Sequence, residues 1–116
     1  MNTQEAFDAA VEHLRKQGKR SQAKYSTDCL YRGPGGLKCA VGALIPDEIY
    51  RKSFEGVGIR PLINGFADLN SLFKAVNITL LEQLQHIHDQ SLVENWEKLF
   101  ERLAEFHELT MPSKGE

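Results

Sequence analysis

The sequence predicts a mainly α fold of the α+β class. One β-hairpin in the N-terminal third is expected to pack on a helical bundle that ends in an antiparallel helix pair. Three observations carry this expectation. Apolar residues recur at three- and four-residue spacing near the N-terminus and again through the last third. Capping-box spacings stand ahead of those stretches. Between them, "GPGG" separates two short apolar runs, which is a turn signal. With 116 residues the chain is expected to form one domain, 1–116. That length buries roughly two-thirds of the unfolded surface, enough for a core without disulfides or metal.

Asn2 and Glu5 have capping-box spacing, and Phe7, Ala10, Val11 and Leu14 then line one face. Gly18 is the expected stop, with Arg15 and Lys16 in a last turn where cations suit the helix dipole. The stretch "RKQGKRSQAK" holds Arg15, Lys16, Lys19, Arg20 and Lys24. It reads either as a solvated helix end or as a patch for an anionic partner. Cys29 to Cys39 reads as the hairpin. A four-residue loop sets Arg32 opposite Leu37 and Leu30 opposite Cys39, so Arg32 and Lys38 leave opposite faces, as do the two thiols. "CAVGALI" is expected to turn into a short buried helix, and Pro46 to open another over "PDEIYRK". "FEGVGIRPLING" contains three glycines and a proline and reads as irregular; "FADLNSLFKAV" reads as a helix. Thr79 and Glu82 are expected to cap a helix carrying Leu80, Leu81, Leu84 and Ile87. Ser91 and Glu94 are expected to cap the next, carrying Trp96, Leu99, Phe100, Leu103 and Phe106. Leu81, Leu84, Trp96, Leu99, Phe100 and Leu103 form the expected seam, His88 falls on the same stripe, and "MPSKGE" reads as a frayed tail.

The composition, 41% hydrophobic and 26% charged, is that of a globular protein. The longest apolar run, "CAVGALI", is far short of a membrane span, and the polar N-terminus has no secretory pattern. A cytoplasmic protein with reduced thiols and no membrane partner is expected. Net charge is −2, with ten Lys/Arg and seven Asp/Glu through residue 60 and four against nine beyond it. An acidic chain argues against general nucleic-acid binding.

Candidate chemistry concentrates in "CLYRGPGGLKCAVG", which holds both cysteines and four of the nine glycines. A structural zinc site wants four ligands in close pairs. Here the cysteines are ten apart, and His86 and His88 lie about 200° apart on a helix, so no metal is expected. Cys39, near a strand-to-helix junction, is the candidate for a nucleophile, with a buried structural thiol as the plainer reading. Neither the P-loop nor the dinucleotide fingerprint is present, and no cofactor is expected. The candidate ligand-binding residues are Tyr31, Arg32, Gly33, Gly35, Gly36 and Lys38. Arginine offers a planar fork, tyrosine a stacking face, and glycines let backbone N–H groups approach an anion.

The segment "CLYRGPGGLKCAVGALIPDEIY", with "LEQLQHIHD" and a Trp-containing last helix downstream, resembles small accessory proteins of tailed phages and prophages. The resemblance spans roughly 2–109 and is distinctive over 29–50. It implies the bacterial host cytosol and supplies no catalytic residues. On that footing the expected function is binding of a host factor without catalysis, as a protein-binding inhibitor or adaptor. The alternatives are a sponge for a nucleotide-like immune signal and a cysteine-dependent enzyme. The expected partner is a host protein or an anionic small molecule, and a homo-oligomer stays open.

Overall fold

The first helix begins where its capping box predicts. In the computed structural model, which describes residues 1–24, 26 and 28–114, α1 spans Thr3–Gln17. The Asn2 side-chain oxygen accepts the Glu5 N–H, and the Glu5 carboxylate accepts the Asn2 N–H, both at 2.8 Å. Its apolar stripe of Ala6, Phe7, Ala10, Val11 and Leu14 is wholly buried. Gly18 closes it by donating its N–H to the Leu14 carbonyl.

Two short helices follow in the middle of the chain, α2 (Ile59–Gly65) and α3 (Ala67–Leu72). The first occupies a stretch that its glycines and proline make read as irregular. Ile59, Leu62 and Ile63 recur at three and four and are buried, so packing secures what local propensity does not. Conversely, the stretch after Pro46 makes only one turn, with the Ile49 and Tyr50 N–H groups on the Pro46 carbonyl. "CAVGALI" yields a single buried 3₁₀ turn, Gly42–Leu44.

The last third forms α4 (Ile78–Gln90) and α5 (Trp96–Phe106), the latter entered through a 3₁₀ turn, Val93–Asn95. Asn77, rather than Thr79, caps α4: its side chain accepts the Thr79 and Leu80 N–H groups. Ser91 ends α4 instead of starting α5. The two helices run antiparallel. His88 near the end of α4 stacks on Trp96 at the start of α5, ring centroids 5.7 Å apart, and His107 just past α5 bonds Gln83. Leu81, Leu84, Trp96, Phe100 and Leu103 are buried at this seam, as is His88. Leu99 is only half-buried, because it borders a groove between the helices.

No β-hairpin forms, so the expected α+β fold is corrected to a helical one. Among the described residues the extended pairings are three isolated bridges and no sheet: Asn2 with Ala75, Gln22 with Cys29, and Arg32 with Lys38. The cause lies in where the backbone groups go. Glu55 accepts the N–H groups of Tyr31 and Arg32 at 2.8 and 3.1 Å. The Gln17 amide accepts the Lys38 N–H and donates to the Lys38 carbonyl, both at 2.8 Å. Two bonds flank the Arg32–Lys38 bridge, from the Gly33 N–H to the Leu37 carbonyl at 2.7 Å and from the Cys39 N–H to the Tyr31 carbonyl at 3.4 Å, but Glu55 takes the Tyr31 N–H that a longer ladder would use. The turn, a 3₁₀ turn over Pro34–Gly36, has Gly35 and Gly36 at φ 69° and 81°, a region that glycine enters without strain. Pairing of Arg32 with Lys38 leaves five residues in the loop rather than four. That one-residue shift brings the two side chains to one side, where both approach Asp47.

The tail is docked rather than frayed through Ser113. Gln4 exchanges two hydrogen bonds with the Thr110 backbone, Arg15 donates to the Pro112 and Ser113 carbonyls, and Leu109 and Met111 pack on the core. The last two residues of that predicted tail lie outside the described residues. No helix among the described residues is long and apolar enough to cross a membrane.

Candidate functional site

The glycine-rich segment directs its polar atoms inward. Arg32 donates one guanidinium nitrogen to Asp47 at 2.7 Å and another to the Ile45 carbonyl, and the group lies 4.8 Å over the Tyr50 ring. Two of its three nitrogens are therefore occupied within the chain, while its Nε is buried without a hydrogen-bond partner. Lys38 Nζ is 4.0 Å from the same Asp47 carboxylate. Tyr31 is buried and donates its hydroxyl to the Val57 carbonyl; burial raises its phenol well above the ordinary value. The Gly33 N–H donates to the Leu37 carbonyl at 2.7 Å, while Gly35 and Gly36 sit exposed at the tip. The structure brings Arg32 and Lys38 together and places Tyr31 on the opposite side, against the 56–58 loop.

Gly42 explains how this segment is held. A methyl group built there would fall inside the Tyr31 carbonyl oxygen and 2.8 Å from its carbon, so only glycine lets the two backbones meet. The Tyr31–Gly42 contact and the Glu55 bonds together fix the entry to the loop.

Beside it lies a cleft of about 400 Å³ between Cys29, the 56–59 loop and α4. Glu82, Gln85, His86 and Asp89 face it from α4. Asp89 is the most organised of these. One carboxylate oxygen accepts from Gln85 at 2.8 Å and from His88 Nδ1 at 2.7 Å. Gln85 is itself fixed, accepting the Val41 N–H at 3.1 Å. Glu82 is tied to Arg60 at 2.8 Å at the mouth of the cleft, where His86 is exposed.

Cys29, His88 and Asp89 place ligand-type atoms within 4.8 Å of one another, the spacing of a metal site. The hydrogen bonds decide against that use of His88. Its Nε2 accepts the Ser21 backbone N–H at 2.9 Å, so the proton resides on Nδ1 and is donated to Asp89. A metal on Nδ1 would have to displace that proton and leave the ring an imidazolate. The arrangement then offers two donors, short of the four of a structural zinc site.

Neither thiol is poised as a nucleophile. Burial, reinforced by the Asp89 charge and a hydrogen bond to it, pushes Cys29 up to about 11. Burial pushes Cys39 up to about 12. A reactive cysteine needs the reverse, a depressed value in an electropositive setting. Both cysteines are free, Cys29 half-buried at the cleft and Cys39 in the core.

The predicted basic stretch is partly absorbed by the fold. Arg15 forms a two-pronged pair with Glu97 at 2.8 and 2.6 Å. Arg20 donates to the His88 and Ser91 carbonyls and so caps the C-terminus of α4. Lys16 and Lys19 are exposed. Sequence reasoning passed over Glu55, Gln85 and Asp89. Only Asp89 carried a signal, as an acid next to a histidine on an apolar stripe. Compared with known proteins, the chain matches no family model, no curated protein and no solved structure.

Proposed function

We propose that this chain is a non-catalytic binding protein, an accessory protein of the phage type that engages a bacterial host protein as an inhibitor or adaptor. One observation carries the reading: the two cysteines and the imidazole beside Cys29 are committed within the fold, which disfavours the cysteine-dependent enzyme. Both thiols are held protonated, and both nitrogens of the neighbouring imidazole are engaged. Beside them lies a cleft with a braced carboxylate, Asp89, in its wall. A braced carboxylate suits a cationic group, such as a lysine or arginine side chain of the partner. Arg32, with both terminal nitrogens held by Asp47 and the Ile45 carbonyl and its Nε buried, gives no matching support to capture of an anionic signal.

The experiment is affinity capture from bacterial lysate with the wild-type chain and with Asp89→Asn and Cys29→Ser variants of unchanged melting temperature. A host protein retained by the wild type and by Cys29→Ser, and lost with Asp89→Asn, is the expected result. Equal retention by Asp89→Asn removes the cleft from the contact. A nucleotide released on denaturing the purified protein would favour the sponge instead.

A further inference from the structure

A different surface carries an inference about self-association. α5 has two apolar faces. Trp96, Phe100, Leu103 and Ala104 face the core. A second seam, Leu99, Arg102 and Phe106, follows three–four spacing along the neighbouring flank, and Leu92 and Asn95 lie just before the helix, Leu92 in extended backbone. The apolar members of the seam stand seven residues apart. Leu92 and Phe106 are 59% and 74% exposed, the highest values among the exposed large hydrophobic side chains. The seam borders a groove of about 410 Å³ whose walls include Ile87 and Gln83 of α4 and Leu99, Leu103 and Phe106 of α5.

We propose that a second copy of this chain covers the seam, its α5 running antiparallel across a two-fold axis. The charges on the outer flank select this occupant. Lys98 and Glu105 stand seven residues apart in the position beside the seam, both exposed, and neither joins an ion pair among the described residues. An axis passing between Phe100 and Glu101 sets Lys98 beside Glu105 of the partner subunit, and by symmetry repeats the pair at the other end of the same flank. The same register lays Leu99 on the aliphatic stem of Arg102 of the partner subunit. It also sets Phe106 against Asn95 of the partner subunit, just before its helix. Each layer then holds at least one apolar side chain.

The helix that carries the seam, Trp96–Phe106, is about 17 Å long at 1.5 Å per residue. A face of that length and one helix wide falls below the roughly 800 Å² per partner of a standard interface, so the dimer exchanges in the micromolar range.

Sedimentation of the full chain from about 1 to 300 μM tests this. Wild type is expected to move from 13.1 kDa toward twice that mass. Phe106→Ser should stay monomeric. Lys98→Glu and Glu105→Lys should each weaken association about tenfold by setting like charges together twice per dimer. The Lys98→Glu/Glu105→Lys double variant should return to within about threefold of wild type, since it reverses both pairs. All three positions changed are exposed on the helix surface, and an unchanged melting curve confirms each fold. A wild type that is monomeric throughout overturns the proposal. So does a dimer indifferent to Phe106→Ser, or a double variant that fails to recover. Asp89→Asn leaves this equilibrium unchanged, which separates the dimer from the cleft reading.

Discussion

Replacing His88 with leucine tests the hydrogen-bonded frame behind the cleft. His88 and Ser21 are both fully buried, and the 2.9 Å bond from the Ser21 N–H to Nε2 joins segments 67 residues apart. Leucine is apolar and fills much of the same space, so the main loss is polar rather than a cavity. A buried N–H left without an acceptor costs about 1–3 kcal/mol. Loss of the stacking on Trp96 adds about 0.5–1.5 kcal/mol. Asp89 loses one donor, but it keeps Gln85 and is partly exposed to water, so its contribution is small. The expected destabilisation is about 2–4 kcal/mol, a large share of the roughly 5–15 kcal/mol of a small domain. At roughly 4 °C per kcal/mol the melting temperature should fall by about 8–16 °C. His88→Gln is the informative companion. A glutamine amide oxygen reaches the place of Nε2 and can accept the Ser21 N–H, so it should restore about half the loss. Urea unfolding followed by circular dichroism, with Trp96 fluorescence as a second probe, measures both. A His88→Leu protein within 1 kcal/mol of wild type, or a glutamine variant no better than leucine, would refute the tautomer assignment and with it the bracing of Asp89.

Two further outcomes follow from particular contacts. Gly42→Ala should destabilise strongly, by about 3 kcal/mol or more, because its methyl group meets the Tyr31 backbone and the neighbour cannot move aside; a thermal melt checks this, and an unshifted midpoint would show that the two segments separate at little cost. Arg15 holds the Glu97 carboxyl below its ordinary value, chiefly through the hydrogen bond and then the charge. A carboxylate lowered in the folded state stabilises at pH above the unfolded value of about 4.3, and the effect vanishes as pH falls through the folded value. Glu97→Gln should therefore cost about 1 kcal/mol near neutrality, the upper range for a surface pair, with the gap to wild type closing below about pH 4 in urea titrations.

The helical ends of the chain were legible for a physical reason: their structure depends on neighbours within four residues. The Asn2–Glu5 box, the buried stripe through Leu14 and the seam from Leu80 to Phe100 all have this local origin. So does the burial of His88, which sits on the same stripe as Leu81 and Leu84. α2 was hidden because three buried apolar residues on a seven-residue helix are outweighed by Gly58, Pro61 and Gly65 until α3 and α4 pack against them.

The middle of the chain obeys longer rules. The turn chemistry of "GPGG" was legible, and both Gly35 and Gly36 adopt the positive φ it implies. A turn does not make a hairpin, because the flanks must also pair with each other. Here the flanks run only from 30 to 33 and from 37 to 39 between other structures, short of the five or six residues of an ordinary strand. The Tyr31 N–H that would extend the pairing is claimed by Glu55 from 24 residues away, and Gln17 from 21 residues away holds the outward-facing Lys38 backbone. Nothing in composition or spacing marks a glutamine or glutamate as a partner for someone else's backbone. The same limit governs the candidate site. An arginine beside glycines can serve a ligand or the fold, and the difference lies in whether an acceptor comes within reach. Asp47 and the Ile45 carbonyl come within reach of Arg32 only after the loop closes on Gly42. Asp89 becomes conspicuous only once Ser21, far away in sequence, has fixed which nitrogen of His88 carries the proton.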